Sequence, residues 1–166
     1  MKAIVAVDEK WGIGRKGNLL FSVPKDMAFF RQKTAGCTVV MGRKTLESFP
    51  NGKPLKNRLN IVLTSDKTPR EGCVVVNDVP SLFKKLARVD GEIFVIGGAA
   101  VYEELLPYCE EAYVTKIEAD GDADTFFPNL DERAEFVLSE EGAREESNGY
   151  YFRFTTYKNK NLQKMR

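Results

Sequence analysis

A single carboxylate, Asp26, stands among bulky apolar residues near the start of a predicted helix. Pro24 suits the first helical position, where the missing N–H of proline costs no hydrogen bond. Phe29 and Phe30 follow the acid by three and four residues, so they lie on its helix face. Apolar surroundings favour the neutral acid, whereas the positive end of a helix favours the carboxylate. Such an acid suits proton transfer or recognition of a cationic ring. From this segment alone, the simpler interpretation is that Asp26 is a solvated acid in the first turn of a helix. Evidence from other segments must decide whether it has a chemical role.

The lack of histidine narrows the possible chemistry. Without it, acid–base catalysis near neutral pH falls to a carboxylate, lysine, tyrosine, cysteine or water. The three cysteines, Cys37, Cys73 and Cys109, are odd in number and widely spaced. This argues against a disulfide framework and against an ordinary zinc site. We therefore expect reduced packing cysteines and no metal, which favours a chemical role for Asp26.

Two segments run from a buried strand through glycine into a helix. Residues 39–45 place Gly42 before two cations and a hydroxyl, which predicts a phosphate site. Residues 96–102 contain the pair Gly97–Gly98, whose lack of Cβ atoms permits close approach of a ligand. Each segment alone also fits a plain tight turn. Together, at the carboxyl ends of successive strands, they favour a ligand site at that edge of the sheet.

A third glycine-rich segment, residues 12–17, spells GxGxxG after a strand. In dinucleotide-binding folds this motif opens a helix whose N-terminus holds the pyrophosphate. Here residues 18–24 intervene before any helix can start. We therefore expect a mobile glycine-rich loop in place of a dinucleotide site.

Length and composition predict one domain spanning residues 1–166. The 166 residues are 43% apolar, enough to bury a full core. Lysine and arginine total 25 against 24 acidic residues, a balance without the general footprint of a nucleic-acid or membrane partner. The apolar run 3–7 is too short for a signal or membrane segment. We expect a cytoplasmic protein, with residues 158–166 forming a frayed tail.

Short β-branched runs alternate with amphipathic segments, which predicts an α/β fold with a mostly parallel sheet. Helices are predicted over residues 24–33, 43–48, 80–88 and 98–106. Strands are predicted over residues 2–7, 38–41, 59–64, 74–76, 93–96 and 112–118. After these, residues 136–138 and 150–157 predict an antiparallel pair that closes one edge of the sheet.

Six segments carry a combined pattern along the chain: residues 4–8, Gly12-Ile13-Gly14, residues 24–30, Met41-Gly42-Arg43-Lys44-Thr45, Ile96-Gly97-Gly98 with Val101-Tyr102, and Asp124-Thr125-Phe126-Phe127-Pro128. Any one of them is a weak signal. The ordered set covers nearly the whole chain and resembles the bacterial dihydrofolate reductase family. That resemblance implies a single-domain, mostly parallel eight-stranded sheet flanked by helices, with a C-terminal antiparallel portion.

The resemblance also implies an activity. This is NADPH-dependent reduction of 7,8-dihydrofolate to 5,6,7,8-tetrahydrofolate, in support of one-carbon and thymidylate metabolism. Hydride would pass to pterin C6, and Asp26 would promote protonation of N5 by orienting water or by favouring the reactive tautomer. The Thr115 hydroxyl would support Asp26, and strand alternation places that hydroxyl on a face with Tyr113 and Ile117, where it needs a partner. The implied catalytic residues are Asp26, Thr115 and Phe21.

The resemblance assigns two sets of binding residues. Those for the substrate are Ile4, Ala6, Met27, Phe30, Phe49, Leu55, Arg58 and Ile96. Arg58 would hold the carboxylate of the glutamate tail as a bidentate fork, although it could simply begin a strand. Those for NADPH are Ala6, Ile13, Gly14, Leu19, Gly42, Arg43, Lys44, Thr45, Thr64, Ser65, Ile96, Gly97, Gly98, Ala99, Ala100, Val101 and Tyr102. A cis peptide bond between Gly97 and Gly98, antifolate-type ligands and a monomeric state are also implied.

Two positions depart from the family pattern. Phe21 stands where many members have tryptophan, so an indole N–H that can hold an ordered water is missing. Ala100 stands where many bacterial members have a basic residue near the adenosine 2'-phosphate, and Asp66 is close to that region. Arg43-Lys44 and Ser65 remain, so we expect NADPH to be preferred over NADH by a reduced margin.

Two other hypotheses remain. The reductase of the riboflavin pathway shares this fold, but Asp26, Thr115 and Arg58 together fit a pterin with a carboxylate tail. A nucleotide-binding module without catalysis is disfavoured by the intact acid site and by both glycine turns. An assay of NADPH oxidation with dihydrofolate, and then with a riboflavin precursor, separates the three.

Overall fold

A central sheet organises the protein, which is described over residues 1–166 by a computed structural model. The strands are β1 (Lys2–Val7), β2 (Gly12–Gly14), β3 (Thr38–Gly42), β4 (Leu59–Leu63), β5 (Cys73–Val76), β6 (Ile93–Gly97), β7 (Glu111–Ile117), β8 (Thr125–Phe126), β9 (Phe136–Glu141), β10 (Glu145–Ser147) and β11 (Tyr150–Asn159). The helices are α1 (Pro24–Thr34), α2 (Arg43–Ser48), α3 (Val79–Leu86) and α4 (Ala99–Leu105). Single 3₁₀ turns cover Pro50–Gly52, Leu106–Tyr108 and Leu130–Glu132.

The strands of the central sheet lie in the order β10-β11-β7-β1-β6-β3-β4-β5. All neighbours from β7 to β5 are parallel, whereas β11 is antiparallel to β7. Strand β9 also pairs with β11. Because β7 lies along one edge of β11, strands β9 and β10 both pair with the opposite edge of β11. The prediction of a mostly parallel, eight-stranded sheet with an antiparallel C-terminal portion is confirmed for the eight strands of this order, to which β9 adds a ninth.

Alternate residues of each strand face opposite sides of the sheet, and each side has its own apolar core. In β3, Val40 faces the larger core, which α3 and α4 cover. Val39 and Met41 face a smaller core that includes Leu46 of α2 and against which Phe30 of α1 packs. Burying such a side chain contributes roughly 1.5 to 3 kcal/mol. The two cores therefore fix which face of the sheet each helix covers.

Three short strands are absent from the prediction. Strands β2 and β8 pair as a separate two-stranded sheet, so part of the predicted mobile glycine loop is in fact a strand. Strand β10 lies in the polar stretch 139–149, which was expected only to separate two strands. These strands have two or three residues each, too few for hydrophobic alternation to reveal them. Hydrophobic alternation does not predict a short strand whose formation depends on pairing with a strand distant in sequence.

Boundaries shift by a few residues elsewhere. Helix α3 starts at Val79, because the Asp78 side chain accepts a hydrogen bond from the Ser81 amide at 2.7 Å and so caps it. Strand β11 continues to Asn159, and the Lys160 amide donates to the Glu135 carbonyl at 2.7 Å. The chain is thus held by backbone hydrogen bonds beyond residue 158, where the predicted frayed tail begins.

The three cysteines are free, as expected from their spacing. No helix combines the length and the apolar character that crossing a membrane requires.

Candidate active site

The carboxylate of Asp26 is held between helix α1 and strand β7. Thr115 Oγ1 donates a hydrogen bond to Asp26 Oδ1 at 2.6 Å. Thr115 is buried and lies opposite Ala6 of β1 in the parallel ladder. No side chain caps the start of α1 at Val23. The hydrogen bond from the strand therefore fixes one oxygen of the acid.

The surroundings of Asp26 change its acidity. Burial raises the pKa of the Asp26 carboxyl above its ordinary value, and the hydrogen bond from Thr115 opposes that rise. Only Oδ1 is engaged by Thr115, which leaves Oδ2 for a ligand. The site therefore holds a half-buried acid with one fixed oxygen and one available oxygen.

Five of the residues predicted to bind the substrate meet in one apolar cluster. Ile4 is buried in it, and four partly buried side chains pack against it: Phe30, Phe49, Leu55 and Ile96. Because these four keep part of their surface exposed, they form an apolar wall beside the sheet. Ala6 packs with a neighbouring cluster that also receives Phe21. Met27 is 47% exposed on α1 and lies outside both clusters.

Phe21 contacts aromatic residues of the C-terminal strands. Its ring centroid lies 4.8 Å from that of Tyr150, and it packs on Val23, Ile117 and Phe152. The Phe21 ring therefore makes apolar and aromatic contacts in this part of the structure.

Arg58 is fixed at the far end of α1 from Asp26. Its Nε donates to Thr34 Oγ1 at 2.9 Å, and Nη2 donates to the Arg31 carbonyl at 3.4 Å. Thr34 in turn donates to the Phe30 carbonyl at 2.8 Å. Partial burial lowers the pKa of Arg58, yet a guanidinium stays charged at neutral pH. At about 1.5 Å per residue, the cation lies roughly 8 to 12 Å along the helix from the acid.

The two glycine turns adjoin, because β3 and β6 are neighbours in the sheet. A Cβ atom at Gly42 would lie 3.2 Å from Val101 Cγ2, and one at Gly97 would lie 3.4 Å from Thr45 Oγ1. No side chain caps α2 at Gly42 or α4 at Gly98, so the first-turn amides of both helices remain available to an anion. The peptide bond between Gly97 and Gly98 is cis, as the resemblance implies.

The remaining residues predicted for the cofactor surround these turns at different depths. Tyr102 is buried, its hydroxyl donates to the Ile4 carbonyl at 2.7 Å, and burial raises its pKa. Val101 and Gly14 are buried. The half-buried residues are Ile13, Arg43, Thr64 and Ala99, and the exposed ones are Lys44, Ser65 and Ala100. Leu19 is 80% exposed in the loop after β2, and in this structure it does not join the other cofactor residues.

The loop of residues 9–23 is tethered at several points, three of which involve buried or backbone groups. Asp8 anchors its base, since the buried carboxylate accepts backbone hydrogen bonds from Lys10, Gly12 and Gly121 at 2.7 to 3.0 Å. The Lys16 amide donates to Asp124 Oδ2 at 2.9 Å. At the far end, Asn148 Nδ2 donates to the Ser22 carbonyl at 2.9 Å. Two backbone hydrogen bonds also close a turn between Arg15 and Asn18. Residues 19–21 make none of these hydrogen bonds and are therefore the least restrained part of the loop.

Sequence reasoning missed several of these contacts. The tethers of Asp8 to Gly121 and of Asn148 to Ser22 join residues more than 100 positions apart, and no local spacing signals them. Arg70 was also missed. It forms ion pairs with Glu47 at 3.0 Å and with Asp66 at 3.3 Å, beside the first glycine turn. Opposite charges four residues apart, Asp66 with Arg70, were the one available hint.

Comparisons with known proteins identify relatives over almost the full length. A family model described as dihydrofolate reductase matches residues 1–159. A dihydrofolate reductase of Bacillus subtilis is 40% identical over 163 residues, which is 97% of this chain and 95% of the relative. One from Haemophilus influenzae is 38% identical over 152 residues, covering 91% and 93% of the two chains.

The fold of this chain is also similar to that of a solved structure. It is dihydrofolate reductase from Enterococcus faecalis, in complex with NADP(H) and RAB-propyl. It is 36% identical in sequence to this chain, its TM-score is 0.85, and the match covers 95% of each chain.

Replacing Asp26 tests how its environment affects stability. A raised folded-state pKa stabilises the protein fully below the ordinary value of 3.8, and that contribution is lost as pH rises through the folded-state value. Asp26→Asn removes this dependence and the cost of burying a charge. We expect the variant at pH 7 to match the wild type or to exceed it by up to about 1 kcal/mol. Urea unfolding across pH measures both effects, and clear destabilisation at pH 7 would indicate a structural role instead.

Proposed function

Since this chain belongs to the dihydrofolate reductase family, we propose that it reduces 7,8-dihydrofolate to 5,6,7,8-tetrahydrofolate by hydride transfer to pterin C6, with protonation of N5 assisted by Asp26. As a member of that family it is an NADPH-dependent oxidoreductase of one-carbon metabolism. The observation that carries the proposed role of Asp26 is its hydrogen bond from Thr115 at the edge of an open apolar wall.

Asp26 is suited to bind the pterin ring and to assist its protonation. Thr115 fixes Oδ1, which leaves Oδ2 free to bind the ligand. Burial, which raises the pKa of the carboxyl, weakens its preference for the charged form and makes proton exchange with bound water or ring easier. No histidine competes for this role anywhere in the sequence. Asp26 thus promotes delivery of a proton to N5.

The dimensions of the site fit a substrate that is polar at both ends. Asp26 would bind the pterin, the apolar wall would enclose the middle of the molecule, and Arg58 would bind the α-carboxylate of the glutamate tail. Three donors of Arg58 are already used to fix it, on Thr34 and on the carbonyls of Arg31 and Lys56. One N–H on each terminal nitrogen remains, so the side chain is pre-organised for a planar carboxylate. This arrangement favours a folate over a riboflavin precursor.

The residues at the two glycine turns fit NADPH. The free first-turn amides suit the phosphates, and the lack of Cβ atoms at Gly42 and Gly97 lets the two turns pack closely against Val101 and Thr45. Arg43, Lys44 and Ser65 would hold the 2'-phosphate. When bound there, NADPH supplies the hydride, so that one hydride and one proton convert dihydrofolate to tetrahydrofolate. The protein aligns the reactants and excludes water.

We propose dihydrofolate and antifolate-type molecules as the small-molecule partners. A monomeric state and action in the cytoplasm stay predictions, which sedimentation and cell fractionation test.

Asp26→Asn tests the proton step directly. We expect the variant to bind NADPH with little change while its turnover of dihydrofolate near pH 7 falls by about 10²- to 10⁴-fold, because assistance of the protonation of N5 is lost. Turnover should recover partly in acid, where solvent protonates N5. The measurement is the pH profile of NADPH oxidation in the presence of dihydrofolate. Unchanged turnover at pH 7 would remove Asp26 from the mechanism.

The loop of residues 9–23 should act as a lid over the nicotinamide. We expect amide exchange of residues 16–21 to slow when NADPH and a folate analogue bind, because Leu19 is then covered. Asp124→Ala should weaken this protection, since Asp124 accepts the Lys16 amide hydrogen bond and alanine has no acceptor in its side chain.

Asp122→Asn is the matched control for the lid. Asp122 pairs with Arg15 through exposed side chains, a type of contact that contributes little. Equal protection of residues 16–21 in free and bound protein would contradict the lid.

Cofactor preference tests the assignment of the phosphate residues. Arg43→Ala should raise the Michaelis constant for NADPH far more than that for NADH, since NADH has no 2'-phosphate to lose a partner. Ala100→Arg should widen the preference for NADPH by roughly 1 to 3 kcal/mol if the new cation reaches the phosphate. Initial rates with both cofactors measure the effects. Equal effects of Arg43→Ala on the two would assign Arg43 to the shared pyrophosphate or to the fold.

A further inference from the structure

Four charged side chains form one network beside the first glycine turn. Glu47 Oε1 accepts from Arg43 Nη1 at 2.7 Å, and Glu47 Oε2 accepts from Arg70 Nη1 at 3.0 Å. Arg70 Nη2 also donates to Asp66 Oδ2 at 3.3 Å. Arg43 and Glu47 belong to α2, whereas Asp66 and Arg70 belong to the segment between β4 and β5. The network therefore joins the two segments that would flank a 2'-phosphate.

Arg70 is the most buried member of the network. Its side chain is 22% exposed, against 38% for Arg43, 44% for Glu47 and 41% for Asp66. Its Nε is buried and has no hydrogen-bond partner. Stability alone does not explain this arrangement, because a buried donor without a partner is unfavourable and partly exposed ion pairs contribute little.

Arg70 controls how much positive charge Arg43 presents. Glu47 is shared between the two arginines, one oxygen to each. With Arg70 removed, Glu47 would have Arg43 as its remaining partner, and the pair would be neutral as a unit. A phosphate dianion would then face an Arg43 side chain whose charge is already neutralised by Glu47. Arg70 draws part of the negative charge of Glu47 away from Arg43.

Arg70 also fixes the segment that carries Ser65. Asp66, the next residue, donates its amide to Thr64 Oγ1 at 3.2 Å and accepts the Thr68 amide on Oδ1 at 2.9 Å. Its other oxygen is bound to Arg70, which also holds Glu47 of α2. The guanidinium thus links the segment that carries Ser65 to α2 through Glu47.

We propose that Arg70 is a positioning residue that sets the selectivity for a cofactor with a 2'-phosphate, by leaving Arg43 charged and by holding the Ser65 segment against α2. This inference rests on the proposed function, in which Arg43 and Ser65 hold that phosphate. The preference for a cofactor with a 2'-phosphate then depends on the whole network of four charged side chains. Arg70 contributes to it without contacting the cofactor.

Three variants test the proposal: Arg70→Met, Glu47→Gln and the double variant. We expect Arg70→Met to raise the Michaelis constant for NADPH about tenfold or more, with that for NADH changed less than about threefold and kcat retained. Glu47→Gln should lower the constant for NADPH. In the double variant it should restore much of the loss, because the carboxylate that compensates Arg43 is gone. Arg133→Met, which removes a surface arginine paired with Glu103, is the control.

Binding of cofactor fragments provides a readout besides activity. In calorimetric titrations, the affinity of Arg70→Met for 2',5'-ADP should fall by a factor similar to that seen for NADPH. Its affinity for 5'-AMP should not change. If Arg70→Met does not fold, Arg70→Lys tests the same point, since lysine keeps the charge but cannot bridge two carboxylates with a planar fork.

Two results would overturn the inference. One is an equal loss for NADPH and NADH, or for both fragments, which would make Arg70 a residue of the fold. The other is a failure of Glu47→Gln to restore NADPH affinity in the double variant. A wild-type enzyme that does not oxidise NADPH with dihydrofolate would contradict the proposed function instead, and the fragment titrations would still test Arg70.

Discussion

A hydrogen bond between the Thr115 hydroxyl and the Asp26 carboxylate joins the sheet to its first helix, and the candidate site is built around it. The helix places the acid beside an apolar wall but does not hold its side chain through a cap. The strand supplies that hold from a buried position. Burial raises the pKa of the acid and the hydrogen bond lowers it, so the balance between these two effects sets its acidity.

The parallel sheet brings the rest of the site to the same edge. Strands β3 and β6 end side by side, so two glycine turns that are 55 residues apart in sequence, Gly42 and Gly97, become neighbours. Asp8 follows β1 at this edge and anchors the loop that would cover the ligands. Open α/β sheets bind ligands where strands end because backbone amides and loops converge there. The fold thus brings the two glycine turns and the tethered loop to one edge of the sheet.

Local sequence signals predicted part of this arrangement. The helix at Pro24, the two glycine turns and the mostly parallel sheet follow from short-range patterns, and the structure contains them. Alternation along β7 indicated that the Thr115 hydroxyl needs a partner, yet only the family resemblance named Asp26, because that partner lies 89 residues away. Arg70 escaped notice for the same reason: its contact with Glu47 joins different segments. Patterns of spacing reveal faces and turns, whereas long-range polar contacts require the fold.

The most direct test of this account is the acidity of Asp26 itself. Titration of the Asp26 carboxyl carbon by NMR in the ligand-free enzyme should give a pKa above the ordinary value of 3.8, since burial outweighs the hydrogen bond from Thr115. In Thr115→Val the pKa should rise further, because the group that favours the carboxylate is removed while its surroundings stay apolar. A wild-type pKa at or below 3.8, or a lower pKa in Thr115→Val, would contradict the central claim that this pair sets the acidity of the site.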